Sequence, residues 1–444
     1  MARPIPRPAP VTSTVGTLEP CQTPRVPTLR GRVRALTGGA APTWLLLLWG
    51  LALVEEVDRV ALGVYAPEIR DTFHIADGTY LGIINAATAV PVLAALPLAR
   101  LADRGSRVRV AWQAGLVWTA LSVLTGVSGL IGSVVVFAAV RVGSGIGKTT
   151  NEPVHPALLA DAYGPDVLPR VTAVYRIAPI LAGIAAPLAA VLENLVGWRL
   201  AFSLLALPAV PLALAVRRQP EPAERTVVDH RLAVRELAGI PTIRRYWWAA
   251  VFFGAAAANL TTLPSLFFDK VYNLDSTGRG VVLSIAFALG AAGLPISAAL
   301  SARALRTGRP ELLAVTGATS LLVFTTGLAA AGLSPWLGGS VVGSVLAVGG
   351  FLGIYPPAGA LIPLVVPPHL RATAFGSVLI SVAIGAVVSV PLTSVLVDGP
   401  GYRAAFVVLA VLVSIGALIQ LTARTLIAAD VPTSASIDRQ TDGS

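Results

Sequence analysis

Cysteine and charge are what this sequence has least of. Cys21 is the only cysteine in 444 residues, which excludes a disulfide scaffold and any cluster of thiolate metal ligands. Charged residues make up 13% of the chain, about half the share of an ordinary soluble domain. The four histidines, His74, His155, His230 and His369, are scattered without metal-ligand spacing. His155 reads as a packed residue rather than a proton relay. Disorder over most of the chain is excluded as well, because 55% of the residues are hydrophobic and disordered chains are poor in apolar side chains.

What the chain does have is a succession of apolar runs, with a mean hydropathy of +0.75. A membrane helix takes about 20 apolar residues. The runs predict helices near 43–66, 79–99, 110–129, 132–159, 171–194 and 200–216, then near 246–268, 279–302, 311–331, 337–363, 374–396 and 402–422. The expected fold is an all-α polytopic membrane protein of twelve transmembrane helices in two pseudo-symmetric six-helix bundles, 43–216 and 246–422. A Pro/Arg-rich tail (1–42), expected to be disordered and not a secretory signal, precedes them. A central loop (217–245) and a polar tail (423–444) complete the chain.

The formal charge of +10 would suggest nucleic acid in a soluble protein. Its distribution says otherwise. With the amino terminus inside, 24 Lys and Arg fall on inner segments and five on outer ones: Arg70, Arg199, Lys270, Arg279 and Arg403. This asymmetry places both termini in the cytoplasm and predicts a multi-pass protein of the cell membrane, with the lipid bilayer and no nucleic acid as its surroundings.

The two halves repeat one another. Gly197-Trp198-Arg199-Leu200-Ala201-Phe202 matches Gly401-Tyr402-Arg403-Ala404-Ala405-Phe406 at an offset of 204. Pro91 and Ala94-Ala95-Leu96 match Pro295 and Ala298-Ala299-Leu300 at the same offset. Paired halves of this kind are a recurring transporter architecture.

The loop after the second helix, Leu101-Ala102-Asp103-Arg104-Gly105-Ser106-Arg107, resembles the G-x-L-x-D-R-x-x-R signature of the major facilitator superfamily, with Ala99 where glycine is usual. The Gly-Trp-Arg-x-x-Phe turn is also typical of that family. Within it, Asp58-Arg59, Arg141 with Gly145-Ile146-Gly147, and Leu159-Ala160-Asp161 look like the Spinster-type lipid transporters, and organic anion:cation symporters share much of the pattern. Those groups usually place glutamate after the Gly-x-Gly, where this chain has Lys148. The resemblance implies that the first and fourth helices line a central cavity, and that Asp103, Arg104 and Arg107 form a cytoplasmic gate, with Asp161 and Arg170 as candidate partners.

A charge at mid-helix costs about 2.5–3.5 kcal/mol on insertion scales, so intramembrane charges are expected to find partners. They gather on two helices: Glu55, Glu56, Asp58 and Arg59 on the first, Arg141, Lys148 and Glu152 on the fourth. Glu55 and Arg59 share a face, as do Lys148 and Glu152. These seven are the candidate substrate and coupling residues, with Glu55 or Glu56 neutralising Lys148. The alternative is that the pairs only hold the two helices together. The second half carries polar candidates instead, Asn259, Thr262 and Tyr355, so one cavity wall is charged and the other largely apolar.

Gly143-Ser144-Gly145-Ile146-Gly147-Lys148-Thr149 imitates a phosphate loop, but Val142 stands where that motif needs its first glycine. The glycines read instead as sites of close helix approach.

The expected function is a secondary active transporter. It moves a small amphipathic or anionic organic solute by alternating access, with protons as a candidate co-substrate, acting as a monomer without cofactor or metal. One rival is a proton-coupled multidrug efflux pump. The other is a membrane-embedded enzyme, for which the sequence offers no convergent nucleophile and base.

Overall fold

The computed structural model describes residues 37–94, 106–163, 168–221, 230–367 and 370–431. Among these residues there is no strand, and the helices follow the apolar runs. They are α1 (Thr43–Val64, continued past a bend at Tyr65 by Ala66–Phe73), α2 (Asp77–Ala89), α3 (Arg107–Ile131) and α4 (Val134–Ala162). Next come α5 (Leu168–Tyr175, Ala178–Ile184 and the first part of Ala186–Ala206, up to Gly197) and α6 (the rest of that element, then Ala209–Arg217). The second half has α7 (Pro241–Ala257, then Thr262–Tyr272), α8 (Ser276–Gly290, then Gly293–Arg306) and α9 (Glu311–Leu333). It ends with α10 (Leu337–Gly353, then Tyr355–Val365), α11 (Arg371–Asp398) and α12 (Tyr402–Thr422). Eight helical stretches are long and apolar enough to cross a membrane by length and composition, judged on the described residues. α1 and α4 are long enough too but carry the intramembrane charges.

Local chemistry sets the ends. Ser106 caps α3 by accepting from the Arg109 N–H at 2.9 Å, and Gly132 closes that helix at φ 72°. Asp275 caps α8 through the Gly278 N–H at 2.8 Å. α10 breaks at Ile354, just before Pro356 and Pro357, as proline requires. One helix was not anticipated from the sequence. His230–Ala238 forms inside the central polar stretch, where its apolar Leu237 is fully buried and the helix packs on α7 and α11.

The repeat is visible in the backbone. Gly197 (φ 76°, ψ 154°) and Gly401 (φ 97°, ψ 174°) make the same turn before α6 and α12, in a region open only to glycine. α1 and α7 each bend and end on a left-handed residue, His74 and Asn273.

Packing divides the molecule lengthwise. At one end, here called the far end, a single apolar core draws on both halves, including Tyr65, Phe137 and Phe202 from the first and Phe253, Phe267 and Phe406 from the second. At the near end, where the described chain starts and stops, there are two separate cores. One uses only the first half, around Leu48 and Trp118. The other uses only the second, around Leu313 and Leu361. Across the seam α2 packs on α11 and α5 on α8. Among the described residues the halves therefore share a core at the far end and keep separate ones at the near end, the packing expected of a cleft between them.

Close helix contact uses small residues, as it does where lipid supplies no hydrophobic drive. A Cβ on Gly254 of α7 would collide with the Val382 carbonyl of α11, and one on Gly385 with the Val251 carbonyl. The turn glycines yield a direct prediction. Gly401→Ala should cost about 1–3 kcal/mol, read as a lower unfolding temperature in detergent. Gly359→Ala, on a helix with open space around it, should leave that temperature unchanged or slightly raised. Equal behaviour of the two variants would remove the argument for the turn.

Candidate functional site

Four charges in a five-residue run of α1 cannot share one environment, because successive helical residues point about 100° apart. Asp58 turns inward. Its side chain is 1% exposed and that of Arg141 on α4 is 4% exposed, with 3.3 Å between Oδ2 and Nη2. Nη1 of Arg141 also donates to Thr125 Oγ1 of α3 at 3.4 Å, and the guanidinium lies 5.3 Å from the centre of the Phe202 ring of α6. This pair ties four helices together within the first half. Removing Asp58 would leave the Arg141 charge buried without its ion-pair partner, which is costly.

Arg59 takes another face. Gly63, one turn on, sits against Thr261 of α7, so close that a Cβ there would lie 3.0 Å from the Thr261 Cβ. Residues 59 and 56 follow Gly63 on that face toward the near end, where the halves separate. Arg59 is 55% exposed there and pairs with Glu56. The expected cluster of Asp58, Arg59 and Arg141 is thus divided between two surroundings. The ion pair of Arg59 is with Glu56 at i–3, while Glu55 is half-buried beside it.

The second-half candidates also separate. Asn259 and Thr262 are buried at 2% and 3% exposure. Asn259 Oδ1 accepts from Asn85 Nδ2 of α2 at 3.0 Å, a polar contact across the seam. Tyr355 is exposed and meets Phe351 edge-on at 5.7 Å, while Phe351 stacks on Phe253 at 5.5 Å. His155 is fully buried, with Nδ1 3.0 Å from the Tyr175 hydroxyl. In the glycine run of α4 the close approach is at Gly145, where a Cβ would strike Ala87 of α2 and Pro91 in the turn that follows α2.

At the near end, Arg107 pairs with Asp161 at 2.7 Å. Glu221 accepts from the Ser106 hydroxyl at 2.6 Å and the Arg107 N–H at 2.9 Å. Neither contact reaches the second half. Asp103 and Arg104 lie outside the described residues, as do the side chains of Lys148, Glu152 and Arg170.

The far end holds a network that the sequence reading passed over. Arg70 pairs with Asp77 at 2.6 Å, with Asp71 at 2.7 Å and across the seam with Asp269 at 3.5 Å. Arg279 pairs across the seam with Glu68 at 2.5 Å and within its half with Asp269 at 3.4 Å. Asp398 accepts from the Gly78 N–H at 2.8 Å, Tyr402 bonds to Asp77, and Ser276 donates to Glu193 at 2.7 Å. In the sequence, Arg70 and Arg279 stood out only as outer-loop charges. The signal that could have found the network is the unusual mixing of acids and bases at those loops.

A family model described as Major Facilitator Superfamily matches residues 48–342, two-thirds of the chain and parts of both halves. The chain belongs to the major facilitator superfamily. It is 24% identical over 279 residues to a probable L-galactonate transporter of Escherichia coli (strain K12), matching 57% of this chain and 60% of that protein. It is 31% identical over 266 residues to an MFS-type efflux pump of Mycolicibacterium smegmatis (strain ATCC 700084 / mc(2)155), matching 57% and 61%. The chain thus spans about 60% of the length of these curated relatives. Among solved structures it resembles a bacterial homologue of the human lysosomal transporter Spinster in an inward-facing, unoccupied conformation. The TM-score is 0.74 at 20% identity, covering 89% of this chain and all of that one. A D-xylose-proton symporter gives 0.65 at 15% identity, covering 88% and 97%. These likenesses establish the shared fold.

The two charge pairs of this superfamily member should respond differently to substitution. Asp58→Asn should destabilise it by about 3–5 kcal/mol, the cost of a buried charge left alone, and adding Arg141→Gln should recover part of the loss. Arg59→Gln should change stability by under about 1 kcal/mol, because that side chain is mostly exposed. Thermal unfolding of the purified variants distinguishes them, and a large loss at Arg59 would overturn the separation.

Proposed function

We propose that this protein is a secondary active transporter whose solute binds in the cleft between the halves, in contact with Arg59. The carrying observation is the Glu56–Arg59 pair, its Arg59 exposed on the face of α1 that looks toward α7. The opposite wall is assigned to Phe351 and Tyr355. A guanidinium facing aromatic rings suits an amphipathic organic anion, its head on Arg59 and its apolar body on the rings. Asp58 and Arg141 hold α1 in place and do not touch the solute.

The same pair supplies a route to proton coupling. When a solute carboxylate or phosphate takes Arg59, Glu56 loses its counter-ion inside the membrane, where a lone charge is expensive. A proton on Glu56 restores neutrality, so anion and proton move together. The likeness to a probable L-galactonate transporter agrees with an organic anion. The likeness to an efflux pump, with the aromatic wall, keeps a second reading in which an apolar drug leaves in exchange for protons.

Proteoliposomes loaded with a panel of organic anions and of apolar cations decide between them. The first reading predicts anion flux that an imposed pH gradient accelerates, and at least about a tenfold loss in Arg59→Gln, equivalent to one charge-assisted contact. Flux of apolar cations with Arg59→Gln unaffected supports the second. No solute-dependent flux of either kind contradicts both.

The Lys/Arg asymmetry supports a cell-membrane protein with its near end in the cytoplasm, and in that orientation the cleft opens inward. Cys21, the only native thiol, tests this. A membrane-impermeant maleimide should label it in permeabilised cells and not in intact ones; labelling of intact cells would reverse the orientation.

A further inference from the structure

We propose that Arg235, Arg244 and Arg245 form a headgroup site for an anionic phospholipid at the near end of the second half, with Trp248 against its acyl chains. The central helix His230–Ala238 stops just before α7 begins at Pro241. Both elements feed one near-end core. Leu237 of the central helix is buried there with Ile243 and Tyr246 of α7 and with Ile427 from the segment after α12. Burying those side chains turns their neighbours outward. Arg235, Arg244 and Arg245 are exposed, and so are Val234 at 47% and Trp248 at 61%.

The three bases lack acids. Elsewhere at the near end arginines are paired, Arg107 with Asp161 and Arg309 with Glu311. Among the described residues none of these three has an ion-pair partner. Asp430 does reach the start of α7, but there its carboxylate accepts from the Thr242 N–H at 2.8 Å. Arg244 and Arg245 also lie near the amino-terminal end of α7, where the helix dipole is positive and disfavours bases. Unpaired cations gathered at a positive helix end point to an anion from outside the chain.

The neighbouring apolar side chains say which anion. Trp248 follows Arg244 by four residues, so the two share a face of α7, about 6 Å apart along its axis. α7 belongs to a stretch long and apolar enough to cross a membrane. An exposed indole near the end of such a helix lies where acyl chains give way to headgroups. The Arg244 guanidinium, one turn further out, is then level with the phosphates. Val234 beside Arg235 gives the central helix the same pairing of exposed apolar and basic groups. A lipid phosphate offers oxygens to the forked donors of arginine, and its acyl chains cover Trp248; a soluble anion accounts for the arginines alone. Basic groups just outside a membrane helix recognise anionic lipid in this way. Because the bases come from two elements, one bound lipid ties the central helix to α7. This inference goes beyond the transport reading and depends neither on the solute carried nor on the orientation in the membrane.

The test offers the full chain, purified in detergent, an equimolar mixture of phosphatidylglycerol and phosphatidylcholine with identical acyl chains. Native mass spectrometry counts the lipid retained. The parent should hold phosphatidylglycerol at least about tenfold over phosphatidylcholine, and Arg244→Gln/Arg245→Gln should lose that preference. Arg303→Gln/Arg306→Gln, which removes two equally exposed bases from the near end of α8, should keep it. A second measurement needs no variant. In nanodiscs, adding phosphatidylglycerol to phosphatidylcholine should slow backbone hydrogen exchange across 230–238 at least about tenfold. No lipid preference in the parent, equal loss in the two double variants, or exchange indifferent to phosphatidylglycerol would each overturn the site.

Discussion

A charge in a low-dielectric interior needs a partner, and most of this molecule's architecture follows from where its charges find one. Three solutions occur along the first helix and its continuation. Asp58 finds Arg141 inside the first half. Arg59 finds Glu56 on the face toward the cleft. Glu68 finds Arg279 across the seam. The chain passes from a contact within one bundle, through one at the cleft, to one that joins the bundles. That progression is a gradient in how far the two halves have separated.

The apolar cores tell the same story. One core shared at the far end and two separate ones at the near end describe a hinge-like closure on one side only. Polar contacts among the described residues fit this division: Arg107–Asp161 at the near end lies within one half, while Asn85–Asn259 at mid-molecule and Gly78–Asp398 at the far end cross the seam. The packing glycines between α7 and α11 lie inside the second half, so they stiffen that bundle and leave relative movement of the bundles to the seam. This is the geometry that alternating access between two repeats calls for.

Much of the fold was legible in the sequence because membranes impose a simple rule on composition and length. Among the described residues, each predicted apolar run became a helix or a series of two or three helical segments, and the Gly197 and Gly401 turns marked the repeat. The charged pair Asp58–Arg141 was legible as residue types but not as geometry. Sequence spacing alone gave Arg59 a partner at i–4; the folded helix gives it the one at i–3. The far-end network was harder to read. Its seam-crossing ion pairs join residues 199 and 211 positions apart, and the repeat offers no guide, since the position 204 before Arg279 is Ile75. The short helix His230–Ala238 was hidden by the polar composition of its surroundings.

The central claim is that Arg59 receives the solute in the cleft. The most direct measurement is a structure of the full-length protein in lipid with a transported solute bound. The account predicts that the anionic or polar head lies within hydrogen-bond reach of the Arg59 guanidinium, with Glu56 displaced from it and the apolar body against Phe351 and Tyr355. A solute bound elsewhere, with the Glu56–Arg59 pair intact, would contradict it.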